Sequence, residues 1–169
     1  MKNLLLRIAA IALAIQSKIE QTLTVGFAFL LRIAAIAAVI TVAIFLGGAL
    51  NMFIVGISGS VIPAPPGADF TTAEGLQQSA HLMEPRHFVM PFLAHALGTL
   101  LAGFVAAALT QERKWPAALI PGLVFLVGGI MAVQMIPAPV WFNVMDLALA
   151  YLPMAWLGYW LQQKLKPGV

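Results

Sequence analysis

Long uncharged hydrophobic stretches, separated by short polar segments, dominate the chain. They cover residues 33–68, 87–111, 115–145 and 147–163. The first three exceed the roughly 20 residues that a helix needs to cross a ~30 Å hydrocarbon core, and the fourth approaches that length when it is extended back to Trp141. We therefore predict an all-α membrane protein with a four-helix transmembrane bundle. The predicted spans are about residues 33–56, 88–109, 116–136 and 141–161.

The octapeptide LLRIAAIA occurs twice, at residues 5–12 and 30–37. The first copy belongs to an apolar run that is too short to span a membrane and is followed by the polar segment QSKIEQ. This pattern favours an amphipathic helix at the membrane interface, with a poorly ordered cytosolic tail as the alternative. The second copy continues into the first span without meeting a charge after its arginine. The predicted domains are an N-terminal interfacial helix over 1–26 and a transmembrane domain over 27–169.

The positive charges lie mainly on one side of this topology. Of the nine Lys and Arg residues, all except Arg86 fall near the N-terminus, in the 110–114 turn or at the C-terminus. The positive-inside rule then places both termini in the cytoplasm, in what we predict to be a bacterial inner membrane. The expected membrane anchors are Arg7, Lys18, Arg32, Trp115, Trp141 and Trp160.

The loop over residues 63–86 is expected on the opposite, extracytoplasmic side. It opens with Pro-Ala-Pro-Pro-Gly, which cannot continue a helix. Thr71 and Glu74 have the spacing of a capping box, so we expect a short cap helix from there to about Glu84.

Composition narrows the class of protein further. The chain is 62% hydrophobic and only 9% charged, whereas a soluble domain carries about a quarter charged residues. It has no cysteine, which removes disulfides, thiolate metal ligands and cysteine nucleophiles. The sequence shows no basic patch interleaved with aromatic residues, so the predicted partner is the lipid bilayer and not nucleic acid.

The tetrapeptide Ile-Pro-Ala-Pro closes both the first and the third predicted span, at residues 62–65 and 136–139. Each copy leads into a helix that contains a proline followed by Leu-Gly. A tandem repeat of two helical hairpins is one interpretation. The other is that Pro-Ala-Pro is a common helix stop in Ala-rich membrane sequences.

Small residues recur at the spacing that packs membrane helices. They are Ala94, Gly98, Ala102 and Ala106 in the second span and Gly128 and Ala132 in the third. Helices in lipid associate through close backbone approach at such residues. The pattern favours a non-catalytic packing, assembly or accessory role, in a homo-oligomer or as a subunit of a membrane complex.

Polar side chains within the spans suggest an alternative function. They are His95, Gln134, Asn143 and Asp146. Such residues mark solute, ion or proton pathways in many membrane proteins. If they converge on one outward-facing site, the chain is a small transporter or channel subunit. The simpler interpretation is that His95 bonds to Asp146 or to a backbone carbonyl and joins two helices.

A third candidate is a metal site at His81, Glu84 and His87. Imidazole and carboxylate bind metals, and residues at i, i+3 and i+6 lie on consecutive turns of a helix. Pro85 weakens this prediction because it bends such a helix, and no other cofactor is expected. Ser58 and Ser60 lack the strand-to-helix turn of a serine nucleophile, so no catalytic residues are predicted.

Several segments of the second half resemble small bacterial four-helix integral membrane proteins of no assigned activity. The segments are Glu84–Phe88 (EPRHF), Pro91–His95 (PFLAH), Pro137–Phe142 (PAPVWF) and Ala150–Met154 (AYLPM). The resemblance covers residues 84–158 only. It implies a helical membrane fold and assigns no functional residue.

Overall fold

The structure is a computed structural model that describes the backbone of residues 2–111 and 114–165 and the side chains of residues 13–72, 74–111 and 114–165. Its helices are α1 (Lys2–Val61), α2 (Ala73–Ser79), α3 (Val89–Leu109), α4 (Lys114–Met135), α5 (Val140–Leu149) and α6 (Leu152–Lys164). Two 3-10 turns, Ala80–Leu82 and Pro85–Phe88, connect α2 to α3. The described residues form no β-strand, so the all-α prediction is confirmed.

Four helical segments in the described part of the chain are long and apolar enough to cross a membrane. They are Leu13–Val61, Pro85–Leu109, Lys114–Met135 and Val140–Lys164. Large hydrophobic side chains such as Phe45, Val127 and Trp156 are exposed along these segments. Extended apolar surface of this kind contacts lipid tails and not water. The protein is therefore embedded in a membrane through four apolar helices, as the hydropathy pattern predicts.

The chain divides into two compact units, residues 1–38 and 39–169. The first unit is a stretch of α1 in which every described side chain, from residue 13 onward, is exposed. Helix α1 passes through the domain boundary expected at residue 26 without a break. The separate interfacial helix over 1–26 therefore stays a prediction, with no helix end to mark it.

The polar segment between the two LLRIAAIA copies is helical, and several of its side chains bond within the helix. The side chain of Gln16 donates to Glu20 one turn away, at 3.1 Å. The hydroxyl groups of Thr22 and Thr24 donate to the carbonyl groups of Lys18 and Glu20. Bonds of this local kind satisfy polar side chains on the helix itself. A polar interval in the sequence is thus not a helix end here.

In the second unit, α3 packs most extensively against α6 and next against α4. Glycine makes the α3–α6 contact possible. A Cβ atom at Gly158 would collide with the backbone of Leu100 and Phe104, and one at Gly103 would collide with the backbone of Ala155. The two helix backbones therefore approach more closely than larger residues allow, as is common between membrane helices.

The six residues predicted for helix packing lie in two environments. Ala94, Gly98, Ala102 and Ala106 are buried, whereas Gly128 is exposed and Ala132 is half-buried. Nothing lies within 4 Å of the place that a Cβ at Gly128 would take. Its neighbour Gly129 is the buried glycine of α4, and it packs against the ring of Tyr151. A packing role for Gly128 stays a prediction, since no other part of the described chain approaches it.

The fourth span is interrupted at Ala150 and Tyr151, between α5 and α6. Pro153 explains the break, because proline has no N–H to donate to the carbonyl group of Leu149 and its ring crowds that carbonyl. Tyr151 has φ −112° and ψ −87°, outside the helical region. The break changes the direction in which Tyr151 presents its side chain.

The 63–86 loop contains a shorter helix than the sequence suggests. Helix α2 ends at Ser79, before the expected end near Glu84, and the two 3-10 turns follow it. Its N-cap is Thr72, whose hydroxyl accepts the N–H of Gly75 at 2.9 Å. The N-cap is therefore one residue after Thr71, the residue predicted to cap this helix.

Both Ile-Pro-Ala-Pro segments directly follow a helix end, since α1 ends at Val61 and α4 ends at Met135. The spans that come next differ, because the second span contains the continuous helix α3 and the fourth span is split into α5 and α6. The two interpretations of this similarity, duplication and a shared stop signal, both stay open.

Candidate functional site

His95 and Asp146 join the second and the fourth span. The Nδ1 atom of His95 lies 2.9 Å from each carboxylate oxygen of Asp146. A carboxylate can only accept, so Nδ1 carries a proton and donates it, and Nε2 of the neutral ring is left as an acceptor. The side chain of Asp146 is only 5% exposed, whereas that of His95 is 26% exposed. The buried end of the pair is therefore the carboxylate, and the accessible end is the imidazole.

Tyr151 completes a network of three side chains. Its hydroxyl donates to Oδ2 of Asp146 at 2.9 Å, and its ring stacks on His95 with the ring centroids 5.7 Å apart. On a regular helix, residues 146 and 151 would point about 140° apart. The break between α5 and α6 brings the two side chains together. Sequence reasoning missed Tyr151, and the only signal for it was the proline two residues later.

A cavity of about 350 Å³ lies between this network and the 63–86 loop, and we call it the loop-side cavity. Its polar lining includes His87, His95, Asn143 and Asp146, and its apolar lining includes Ile62, Phe70, Leu76, Met83, Phe88 and Phe142. Three of the four polar residues singled out in the sequence therefore share one cavity. The fourth, Gln134, is exposed and lines neither this cavity nor the next.

A second cavity, of about 400 Å³, lies on the other side of His95. It is lined by His95 and Tyr151 and by residues of α1, α3 and α4, among them Asn51 and Thr99. Helix α3 runs away from the 63–86 loop, so Thr99 lies farther from that loop than His95 does. We call this space the turn-side cavity, because it lies toward the 110–114 turn. The imidazole of His95 lines both cavities.

His87 lies in the second 3-10 turn, directly before α3, and only 6% of its surface is exposed. Its Nδ1 accepts the backbone N–H of Glu84 at 2.9 Å. Its Nε2 is buried, and no hydrogen-bond partner for it exists among the described residues. This residue also lines the loop-side cavity, which the spacing of His81, Glu84 and His87 did not predict.

The residues proposed for a metal do not share one helix. His81 is exposed in the first 3-10 turn, where its Nδ1 lies 2.8 Å from the carbonyl oxygen of Gln78. Glu84 is exposed and pairs with Arg86 at 3.0 Å. Among the residues that the structure describes, no group of three His, Cys, Asp or Glu side chains is placed to hold a metal. The metal site at His81, Glu84 and His87 stays a prediction, although these residues do not lie on one helix as the spacing assumed.

The described anchor residues are exposed, as side chains at a membrane boundary must be. They are Lys18, Arg32, Trp115, Trp141 and Trp160, and the side chain of Arg7 lies outside the described part. The Nζ atom of Lys164 lies 5.6 Å from the ring centroid of Trp160. The ring of Trp141 packs edge-on against Phe88, with centroids 5.6 Å apart. Their depth in the membrane stays a prediction.

Asp69 organises the start of the 63–86 loop. Its Oδ1 accepts both the hydroxyl of Thr71, at 2.6 Å, and the backbone N–H of Thr71, at 2.8 Å. These bonds hold the pKa of the Asp69 carboxyl below its usual value, the side-chain bond most strongly. The residue that caps α2 is the next one, Thr72, whose hydroxyl accepts the N–H of Gly75.

Comparison with protein-family models, curated proteins and solved structures gives no match to this chain. The resemblance over residues 84–158 therefore stays a prediction. Fold and site together define a helical membrane protein with an ionisable network between its second and fourth spans.

Proposed function

We propose that this chain is a small membrane transport protein in which His95 takes up and releases a proton between two cavities. The observation that carries the proposal is the position of His95, which lines both cavities while its Nδ1 is bonded to Asp146. Ionisable side chains are costly inside a membrane, and they commonly mark the route of a proton or an ion.

The chemistry of the network suits a proton carrier. With Nδ1–H donated to Asp146, Nε2 of His95 is the atom that can accept a further proton. The positive ring that forms is offset by the carboxylate at 2.9 Å. The Tyr151 hydroxyl holds the second carboxylate oxygen, so Asp146 acts as a fixed partner. The mobile proton then belongs to the imidazole.

The charge distribution along the chain predicts on which side of the membrane each cavity lies. With both termini in the cytoplasm of a bacterial inner membrane, the loop-side cavity would lie on the extracytoplasmic side of His95 and the turn-side cavity on its cytoplasmic side. Protonation of His95 from one cavity and release into the other would move one charge across the central part of the membrane.

Proton flux in proteoliposomes tests the proposal. Purified protein is reconstituted with a trapped pH-sensitive dye, and an outside pH step is applied. The variants are His95→Gln and Asp146→Asn, and His81→Gln is the matched control because His81 is exposed outside the network. We expect each network variant to lose at least about 90% of the flux, since general acid–base groups contribute about 10²-fold or more. The control should keep it.

The outcomes separate clearly when folding is checked by circular dichroism and by elution in detergent. A folded His95→Gln protein with wild-type flux would show that His95 carries no proton. If the wild-type protein gives no more proton flux than empty vesicles, the proton-carrier proposal is refuted.

The packing or accessory role is the second candidate, and one observation favours it. Gly56 in α1 is exposed, and nothing lies within 4 Å of the place that its Cβ would take, so another helix could approach closely there. Gly56→Leu should then dissociate a homo-oligomer or release a copurified subunit in mild detergent. Unchanged mass by native mass spectrometry would count against this role.

A further inference from the structure

We propose that Asn51 is a positioning residue for the proton that His95 carries, and that its amide orders a short chain of water molecules leading from His95 through the turn-side cavity. This inference rests on the proposed function and deepens it, because it names the next polar group on the route toward the cytoplasmic side. The amide itself stays neutral throughout.

Asn51 lies on α1, opposite the part of α3 that follows His95. A Cβ atom at Gly98 would lie 3.1 Å from the Cβ atom of Asn51, so the Asn51 side chain starts from the side of α1 that faces α3. Gly98 is three residues beyond His95, which is about one helical turn. Because α3 runs away from the 63–86 loop, Asn51 lies beyond His95 in the direction of the turn-side cavity, which both residues line.

Two polar groups on the wall of this cavity keep their hydrogen-bonding capacity. The other polar side chains of its lining are Thr99 and Tyr151, whose hydroxyl groups donate to the carbonyl group of His95 and to Asp146. In the described part of the chain, neither the amide of Asn51 nor Nε2 of His95 has a hydrogen-bond partner, and neither is among the buried side-chain atoms without one. Both groups are therefore accessible enough to meet water.

Water is the partner that suits both groups. An amide without a hydrogen bond inside a membrane is destabilising, and water can both donate to it and accept from it. The cavity of about 400 Å³ has room for several water molecules, since each takes about 30 Å³ in the liquid. The described lining carries no charged side chain, so an ion would enter without a charged partner there.

The proton step balances with water as the only other reactant. The Nε2–H bond of the positive imidazole ring breaks, its electron pair stays on Nε2, and the proton forms an O–H bond to the first water molecule. That molecule passes one of its own protons to the next, and the excess proton leaves as hydronium. The amide of Asn51 donates to one water molecule and accepts from another, which holds the chain in line.

A bond from Asn51 to a second copy of the chain is the main competing explanation. Asparagine side chains do join membrane helices by such bonds. Here the Cβ atom of Asn51 faces α3 of its own chain, and the strongly exposed side chains of this part of α1 are others, such as Phe45 and Phe53. The position of the amide therefore needs no second copy to explain it.

Cysteine accessibility tests the hydration of the site without any flux measurement. The chain has no cysteine, so an introduced thiol is the only one. A thiol reacts as its thiolate, which forms in water and not in lipid. We expect Asn51→Cys to react with a polar methanethiosulfonate on the cytoplasmic side. Phe45→Cys, at a position that is 72% exposed and faces lipid, should not react. An unreactive Asn51→Cys in folded protein, or equal reaction at both positions, would overturn the proposal.

Proton flux in proteoliposomes tests the positioning role. Asn51→Leu has a similar size and no amide, Asn51→Gln keeps the amide, and Phe53→Leu is the control on the lipid-facing side of α1. We expect Asn51→Leu to lower the flux about fivefold, the effect of one ordinary hydrogen bond, while the other two variants keep most of it. Wild-type flux in Asn51→Leu would overturn the role. If that variant fails to fold, modification of Asn51→Cys replaces it and should lower the flux as well.

The competing explanation and the proposed function fail by different results. If Asn51→Leu loses an oligomer that the wild-type protein forms in native mass spectrometry, the amide joins two copies and this inference is overturned. Flux that depends on His95 and not on Asn51 would refute this inference alone. Wild-type protein without flux would refute the proton carrier and the role of Asn51 together.

Discussion

The bond between Tyr151 and Asp146 makes the sharpest single test of the network. Tyr151→Phe removes one hydroxyl and keeps the ring that stacks on His95. The side chain of Asp146 is only 5% exposed. Its Oδ2 atom then loses the 2.9 Å hydrogen bond from Tyr151 and keeps only the bond from His95, which Oδ1 also accepts. The substitution therefore isolates one hydrogen bond to a buried charge.

The expected loss of stability follows from two bounds. Hydrogen bonds to charged groups contribute about 1.5–3 kcal/mol in water-soluble proteins. Hydrogen bonds between membrane helices average about 0.6 kcal/mol and reach about 1.7 kcal/mol. Because Asp146 is buried and Tyr151 is its donor from beyond the helix break, we expect a value near the overlap, about 1.5 kcal/mol. That is slightly more than a tenfold change in the unfolding equilibrium constant.

A double-mutant cycle with Asp146→Ala measures this quantity directly. The free energy of unfolding is determined for both single variants and for the double variant in mixed micelles with increasing denaturing detergent. The coupling free energy should be about 1.5 kcal/mol, since each single change removes the bond. Tyr159→Phe, on the partly exposed Tyr159 outside the network, is the control and should change stability by less than about 0.5 kcal/mol. A coupling free energy indistinguishable from zero would refute the network as described.

Three further predictions concern packing, the loop and the topology. Gly158→Ala should destabilise the protein by about 1–3 kcal/mol through overpacking, while Gly128→Ala should be neutral or stabilising, and equal unfolding free energies would contradict the packing account. Thr71→Val should raise the pKa of Asp69 toward its ordinary 3.8, as read from ¹³C carboxyl shifts. Because the pKa of Asp69 is lowered in the folded protein, the ionised carboxyl stabilises the loop above pH 3.8, and this stabilisation is lost as the pH falls through the folded-state pKa. An unchanged pKa of Asp69 in the variant would contradict the bond from the Thr71 hydroxyl. Glu112→Cys should react with an impermeant maleimide only after the cells are permeabilised, and labelling of intact cells would overturn the four-span topology.

The sequence predicts the coarse architecture well, because membrane insertion depends on quantities that are local in sequence. An uncharged run of about 20 residues is read directly, and a Pro-Ala-Pro segment ends a helix in any context. The described ends of α3 and α4 accordingly lie within two residues of the predicted spans. Hydropathy thus predicts the spans, and the two Pro-Ala-Pro segments mark the ends of α1 and α4.

The finer details that the sequence did not predict have a different cause, because each depends on where another residue of the chain lies. The hydroxyl of Thr71 bonds to Asp69 and that of Thr72 caps α2, a choice between neighbouring threonines that the spacing rule does not make. The burial of Gly129 depends on the place of Tyr151, which in turn depends on the break before Pro153. Periodicity assumes an unbroken helix, so it cannot place side chains across such a break.

The asymmetry of the His95–Asp146 pair argues for a transport role over a purely structural one. A pair that only joins two helices would be most stable when both partners are enclosed, and an apolar pair of the same volume often serves as well. Here the carboxylate is enclosed and held by two donors, while the imidazole is 26% exposed and borders a cavity on each side. The cost of burying Asp146 is offset by bonds that leave Nε2 of His95 open. A carboxylate held by two donors beside an accessible imidazole is an arrangement that suits the proposed proton transfer.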